Sequence, residues 1–205
     1  MLVTLAAGDA YLKMVEVGIE NKLNYCKKHD YLFVPGYKLL DNSRPAPWSK
    51  ILLILEVFEN PDIKWVFWSD ADSLIMNSEI KLESYIDESY EFIVTQDRNG
   101  LNSGQFFIKN SPWARIFLSK IYERTDCIFH PWWEQQAIID EYNKSKEIQE
   151  KTKILPQRSF NSYPSFLTNS HPDQTYKRGD FLIHFPSVRG SHLSQNMLFF
   201  SKLSR

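Results

Sequence analysis

The sequence predicts an α/β fold: a sheet of parallel strands with helices on both faces. Two observations carry that expectation. The first half alternates strand, helix, strand, helix, strand, the order in which parallel strands and crossover helices are laid down. The 205 residues are 43% apolar, enough to bury a sizeable core without a disulfide or zinc. No repeat, low-complexity tract or Gly/Ser linker interrupts the chain, so one domain over residues 1–205 is expected.

Each element has its own local signal. Met1 to Ala7 reads as a short buried strand, with Gly8-Asp9 as the turn after it. From Ala10 to His29, apolar residues fall at Leu12, Val15, Ile19, Leu23 and Cys26, one face of a helix. Tyr31 to Val34 reads as a second strand, stopped by Pro35-Gly36. A polar loop leads to Pro47-Trp48-Ser49-Lys50, where a second helix starts and runs to about Glu59, before Pro61. Lys64 to Trp68 is uniformly apolar after its lysine and reads as a central strand. Phe92–Thr95 and Gln105–Ile108 are further strand candidates. Ser111-Pro112 caps a helix reaching about Arg124, and another covers Trp133 to Tyr142. Asp180 to Phe185 is a last short strand, and the tail after Gly190 looks irregular.

Composition excludes several classes. Lysine and arginine total 24 against 25 acids, a formal net charge of −1, so no basic footprint for nucleic acid is present. No stretch approaches the ~18 apolar residues of a membrane span, and the N-terminus lacks a positively charged leader. A soluble, cytoplasmic protein is the expectation. The two cysteines, Cys26 and Cys127, have no metal spacing and are expected as buried reduced thiols. Aromatic residues reach 15%, which suits a thick core and flat platforms for sugar or base rings.

The most informative chemistry is Ser69-Asp70-Ala71-Asp72-Ser73, directly after the Lys64–Trp68 strand. A bare D-x-D is more often a solvated turn. Two carboxylates at the C-terminal end of a buried strand, however, stand where open α/β sheets place ligands. There they suit Mg²⁺ or Mn²⁺, which in turn neutralises a diphosphate. His184, a lone histidine between apolar neighbours, gains weight as a third ligand beside that pair. Asn102-Ser103-Gly104 offers small polar donors and close backbone approach, although taken alone it reads as a tight turn into the Gln105–Ile108 strand. Trp132-Trp133-Glu134-Gln135 places an aromatic pair, a carboxylate and an amide at a helix start. Lys50 and Arg189-Gly190 are cationic candidates for phosphate.

In these blocks the sequence resembles glycosyltransferase family 34, the galactosyl, mannosyl and xylosyl transferases. The matching stretches are PWSKILLILEVFENPDIKWVFWSDADSLIMN, LNSGQFFIKNSPWARIFL, WWEQQAIIDEY, LPQRSFNSYP and GDFLIHFPSVRG, in family order over roughly residues 45–190. A form without an anchor is expected among virus-encoded or microbial soluble members.

The resemblance implies a GT-A fold, a Rossmann-like nucleotide-binding domain. Its first half, about residues 1–100, would bind the sugar nucleotide. The second, about 101–205, would complete the metal shell and face the acceptor. It further implies metal-dependent glycosyl transfer with retention, from a UDP-sugar or, in the mannosyl branch, GDP-mannose, to a glycan or glycoprotein hydroxyl. Asp70, Asp72 and His184 match the metal ligands, with Mn²⁺ or Mg²⁺ as cofactor. Ala71 lies between the two acids. Thr4, Ala6 and Asp9 would lie near the uridine and ribose. Lys50 matches a family lysine, and Asn102, Ser103 and Gly104 would line the donor sugar. Gln135, with Glu134 next to it, would sit beside the anomeric carbon. Asn161 and Ser162 match a block taken as structural or acceptor-side. Pro186-Ser187 stands where the family often has Ala-Gly, leaving Arg189 and Gly190 for the diphosphate. Further transferase domains in a longer chain are compatible with the ending Ser201–Arg205. Two rivals differ in class. A nucleotidyltransferase or nucleotide-sugar hydrolase would need a basic glycine-rich loop, which Ala7-Gly8-Asp9 lacks. A non-catalytic carbohydrate-binding module would not need Asp70, Asp72 and His184 together.

Overall fold

The computed structural model describes residues 1–168 and 171–204. In chain order its main elements are β1 (Leu2–Leu5), α1 (Asp9–His29), β2 (Phe33–Gly36), α2 (Ser49–Phe58), β3 (Trp65–Ser69) and β4 (Ser73–Ile75). Then come β5 (Phe92–Asp97), β6 (Gly100–Lys109), α3 (Pro112–Tyr122), α4 (Trp133–Lys144), α5 (Lys146–Lys151), β7 (Thr152–Leu155), β8 (Leu182–His184) and α6 (Gly190–Ser201). Six strands form one sheet in the order β2-β1-β3-β6-β5-β7, and β4 pairs with β8 in a second, two-stranded sheet.

β2, β1 and β3 run parallel, as the βαβ alternation requires. β6 runs antiparallel to both of its neighbours, β3 and β5, so the sheet is mixed. The period-2 alternation of side chains divides the core. Val66 and Trp68 of β3 and Phe106 and Ile108 of β6 pack with α2, α3 and α4 on one face. Phe67 and Phe107, stacked at 4.4 Å, pack with Tyr25 of α1, Phe160 and Phe181 on the other. Helix α6 closes against α1 through Leu193 and Met197, which join Val15 and Ile19. Both cysteines are buried and unpaired. No helix among the described residues is long and apolar enough to cross a membrane.

Several elements differ from the sequence expectation, each for a physical reason. β2 runs on through Pro35-Gly36, because it is an edge strand and one of its sides carries no ladder for the missing proline N–H to break. β6 begins at Gly100, so Asn102, Ser103 and Gly104 lie inside a strand and not in a turn before it. An irregularity between Val94 and Thr95 lets that polar stretch pair with β5. The chain after Gly190 is a twelve-residue helix, not an irregular tail. Its mix of Leu193 and Met197 buried with Leu198 and Phe199 exposed blurs the apolar stripe. β4, α5 and β7 were not anticipated; all are six residues or fewer, too short to show a period.

Lys22 of α1 is wholly buried, and its Nζ donates to the Ser73 carbonyl at 2.6 Å. Burial lowers its pKa from 10.5 to about 7, against smaller upward pulls from Asp72 and Asp70. The unfolded chain therefore binds more protons between those values, and stability from this group rises with pH from about 7 to 10.5. Lys22→Met should flatten that rise and stabilise the protein at neutral pH by roughly 1–4 kcal/mol. Urea unfolding at pH 7 and pH 9 reads both effects; an unchanged difference between the two pH values contradicts the assignment to Lys22.

Candidate active site

The C-terminal end of β3 opens into a cavity of about 740 Å³, within the range of small-molecule sites. On one wall, the Asp70-Ala71-Asp72 turn is held by three bonds. The Asp70 N–H donates to the Gly104 carbonyl (2.8 Å), Ser73 Oγ donates to the Asp70 carbonyl (2.7 Å), and the Phe185 N–H donates to the Asp72 carbonyl (2.9 Å). Pairing of Ser73 with His184 across β4 and β8 brings the histidine, over a hundred positions away in sequence, beside the turn. Carboxylate oxygens of Asp70 and Asp72 and a ring nitrogen of His184 all lie within 4.8 Å of one another.

Lys50, at the start of α2, is 2% exposed and lies under the opposite end of the turn. Its Nζ donates to the Ser103 carbonyl and to Glu134 Oε1, both at 2.8 Å, and lies 3.2 Å from Asp70 Oδ1. It also stands 5.3 Å over the Trp68 ring, whose Nε1 donates to Asp70 Oδ1 at 2.7 Å. Although burial opposes it, the charges of Asp70 and Glu134 hold the Lys50 pKa above its usual value. Burial raises that of Asp70, with Lys50 pulling down and Asp72 adding to the rise.

Glu134 and Gln135 stand in the first turn of α4, after Trp133, whose φ of 43° is unusual for a bulky residue. Glu134 Oε1 accepts from Lys50 and from Ser103 Oγ (2.9 Å), and Gln135 Oε1 accepts from the Ser103 N–H (3.1 Å). The second Glu134 oxygen is buried and has no donor among the described residues. Asp70, Ala71, Asp72, Lys50, Asn102, Ser103, Gly104, Glu134, Gln135, His184, Arg189 and Gly190 thus line one cavity.

Thr4, Ala6 and Asp9 do not line it; Leu5 and Ala7 of the same segment do. Strand alternation turns Thr4 to the same side as Leu2, and Ala6 packs with Val15 and Ile19 under α1. Asp9 opens α1 at the surface. Asn161 is wholly buried, with its Oδ1 2.9 Å from His184 Nδ1. Sequence reasoning missed Tyr11, Asp97 and Tyr163. Burial, and then Asp72 and Asp70, raise the pKa of Tyr11; burial and then Asp97 raise that of Tyr163. Tyr163 adjoins the Asn161-Ser162 block and could have been found there. Asp97 is a single acid at a strand end and carries no local signal.

The fold is that of the GT-A glycosyltransferases. A glycosyltransferase involved in glycosylation of the major capsid of PBCV-1 superposes with a TM-score of 0.76, covering 97% of this chain and 98% of that one at 15% identity. The galactosyltransferase LgtC does so with a TM-score of 0.61 over 99% and 95% at 13% identity. Within that class the chain belongs to the galactosyl transferase GMA12/MNN10 family, which residues 2–89 and 85–190 match. An uncharacterized alpha-1,2-galactosyltransferase of Schizosaccharomyces pombe is 30% identical over 82% of this chain and 54% of its own length. The probable alpha-1,6-mannosyltransferase MNN10 of Saccharomyces cerevisiae is 28% identical over 72% and 47%. The chain spans about half the length of these curated relatives.

Proposed function

We propose that this domain transfers a glycosyl unit from a UDP-sugar to a hydroxyl of a glycan or glycoprotein, with retention at the anomeric carbon and with Mn²⁺ or Mg²⁺ at Asp70, Asp72 and His184. The observation that carries the reading is the cluster of those three ligand atoms on one wall of a cavity that Glu134 and Gln135 also line. The donor set fits the cofactor. Two carboxylates suit a hard cation, the imidazole suits Mn²⁺, and Asp72 Oδ1 stands 3.4 Å from His184 Nε2. When bound, the ion would offset the charge that builds on the leaving diphosphate.

The protein's own groups supply the rest. Lys50 holds Asp70 and Glu134 by direct contact, at 3.2 and 2.8 Å. The Glu134 carboxylate, at the cavity wall, can stabilise positive charge on the sugar ring. The Gln135 carbonyl, pinned by the Ser103 N–H, presents a fixed dipole beside it. Neither group is an obvious covalent nucleophile, so front-face attack by the acceptor hydroxyl, with the leaving phosphate as base, is the mechanism favoured. A trapped glycosyl adduct on Glu134 would replace it with double displacement.

Thermal-shift titration with UDP and GDP, with and without Mn²⁺, tests the donor. Ligand at about 100 times its Kd should add about 2.7 kcal/mol of stability to the wild type. Asp72→Ala should show no shift. A response to GDP alone transfers the reading to the mannosyl branch; no response to either nucleotide removes the sugar-nucleotide reading in favour of a carbohydrate-binding module. Proton NMR of the anomeric linkage in the product then reads retention directly.

A further inference from the structure

We infer that Asn161 is a positioning residue that sets the tautomer of His184, through a chain of amide bonds starting at the backbone of Gly104. The inference rests on the metal site proposed above and assigns a role to residues outside it.

The argument is one of donors and acceptors. The Gly104 N–H is a donor under all conditions, and it points at Asn102 Oδ1 at 2.9 Å. That atom is therefore the carbonyl oxygen, and the Asn102 amide Nδ2 faces Asp97 Oδ2 and Tyr163 Oη, each at 3.0 Å. Asn161 Nδ2 stands 3.0 Å from the same Asn102 oxygen and 3.0 Å from Thr95 Oγ1. Turning the Asn161 amide over would set two carbonyl oxygens against each other in a buried site, Asn161 0% and Asn102 5% exposed, where an unmade bond carries a desolvation cost. Asn161 Oδ1 must then face His184, and it lies 2.9 Å from Nδ1.

An amide oxygen accepts only, so His184 Nδ1 carries the hydrogen. In the neutral ring this leaves the Nε2 lone pair free, on the side that faces Asp72 Oδ1. A free imidazole side chain favours the opposite tautomer, which would turn an N–H toward the cation. Asn161 thus holds the ring in the form that can ligate. Such second contacts to a ligating histidine typically change metal affinity by roughly 10–100-fold. The chain also ties His184 to Asp97 and Tyr163, since both are bonded to Asn102.

Two measurements test this. Long-range ¹H–¹⁵N correlation NMR of the wild type without metal, with the His184 signals assigned by their loss in His184→Gln, reads which ring nitrogen of the neutral side chain bears hydrogen. Hydrogen on Nδ1 is expected; hydrogen on Nε2 overturns the proposal, whatever the variants do. Titration with Mn²⁺ alone, followed by the EPR signal of the free ion, should give a Kd roughly 10–100-fold weaker in Asn161→Ala. Thr95→Val removes the other partner of Asn161 Nδ2 but leaves Asn102 to fix the amide, so it should bind Mn²⁺ as the wild type does. Equal affinity in Asn161→Ala, or equal losses in both variants, shows that Asn161 only packs. Failure of the wild type itself to bind Mn²⁺ counts against the metal site and not against the tautomer, which the NMR reading decides separately.

Discussion

Gly104→Ala should abolish Mn²⁺ binding at the proposed metal site while leaving most of the fold intact. A Cβ built on Gly104 would stand 2.4 Å from His184 Cε1, 3.1 Å from His184 Nδ1 and 3.0 Å from Asn102 Oδ1. His184 is 2% exposed and bonded to buried Asn161, so any retreat of the ring breaks that bond. One methyl group therefore has to move the imidazole, the strand or both, a cost of about 1–3 kcal/mol for overpacking. The larger effect falls on ligation, because the displaced ring no longer meets Asp70 and Asp72. Calorimetric titration should show Mn²⁺ affinity at least about 100-fold weaker, with glycosyl transfer lost alongside. Wild-type affinity in this variant would mean that β6 shifts as a whole, and that His184 is not held by close packing.

Lys50→Met should be the most destabilising substitution of a cavity residue. The ammonium is the shared partner of Glu134, which is 2% exposed, and of Asp70, and it satisfies the Ser103 carbonyl as well. Removing one partner of a buried pair strands the remaining charge, at about 3–5 kcal/mol. For a chain of this size that corresponds to a melting point lower by roughly 10 °C. The double variant Lys50→Met with Glu134→Gln should recover part of the loss, since it removes the stranded charge. Calorimetric melting of the two variants beside the wild type checks both statements. A melting point of Lys50→Met within a degree or two of the wild type would show that Glu134 and Asp70 find water or protonate without cost.

The two predictions concern groups whose importance had very different visibility in the sequence. Asp70 and Asp72 were legible because a run of apolar residues, Val66 to Trp68, announces the end of a buried strand, and two acids directly after it have few other uses. His184 was legible only beside them. Gly104 looked like a turn residue; that it makes room for an imidazole depends on β8 lying against β4, a pairing between segments over a hundred residues apart. Asn161 lies within a block read as structural or acceptor-side; its contact with His184 is not legible, since its donors and acceptors come from β5, β6 and β8. Leu5 and Ala7 of β1 and the turn after it line the cavity, whereas Thr4 and Ala6 do not. A two-residue side-chain period makes that single step the difference between cavity and core.

The sequence by itself determined the alternation that builds the parallel half of the sheet, the strand that ends in Asp70-Ala71-Asp72, and the family to which the chain belongs. All of these depend on patterns within a few residues or on the order of short blocks. Only the tertiary structure decided that β6 runs antiparallel, that the chain after Gly190 folds as α6, and that Lys50 bridges Asp70 and Glu134. The same holds for the amide chain that orients His184. These features rest on contacts between separate segments of the chain, such as Lys50 with Ser103 and Glu134, or on hydrogen-bond direction in a buried space. Neither leaves a trace in local composition or period.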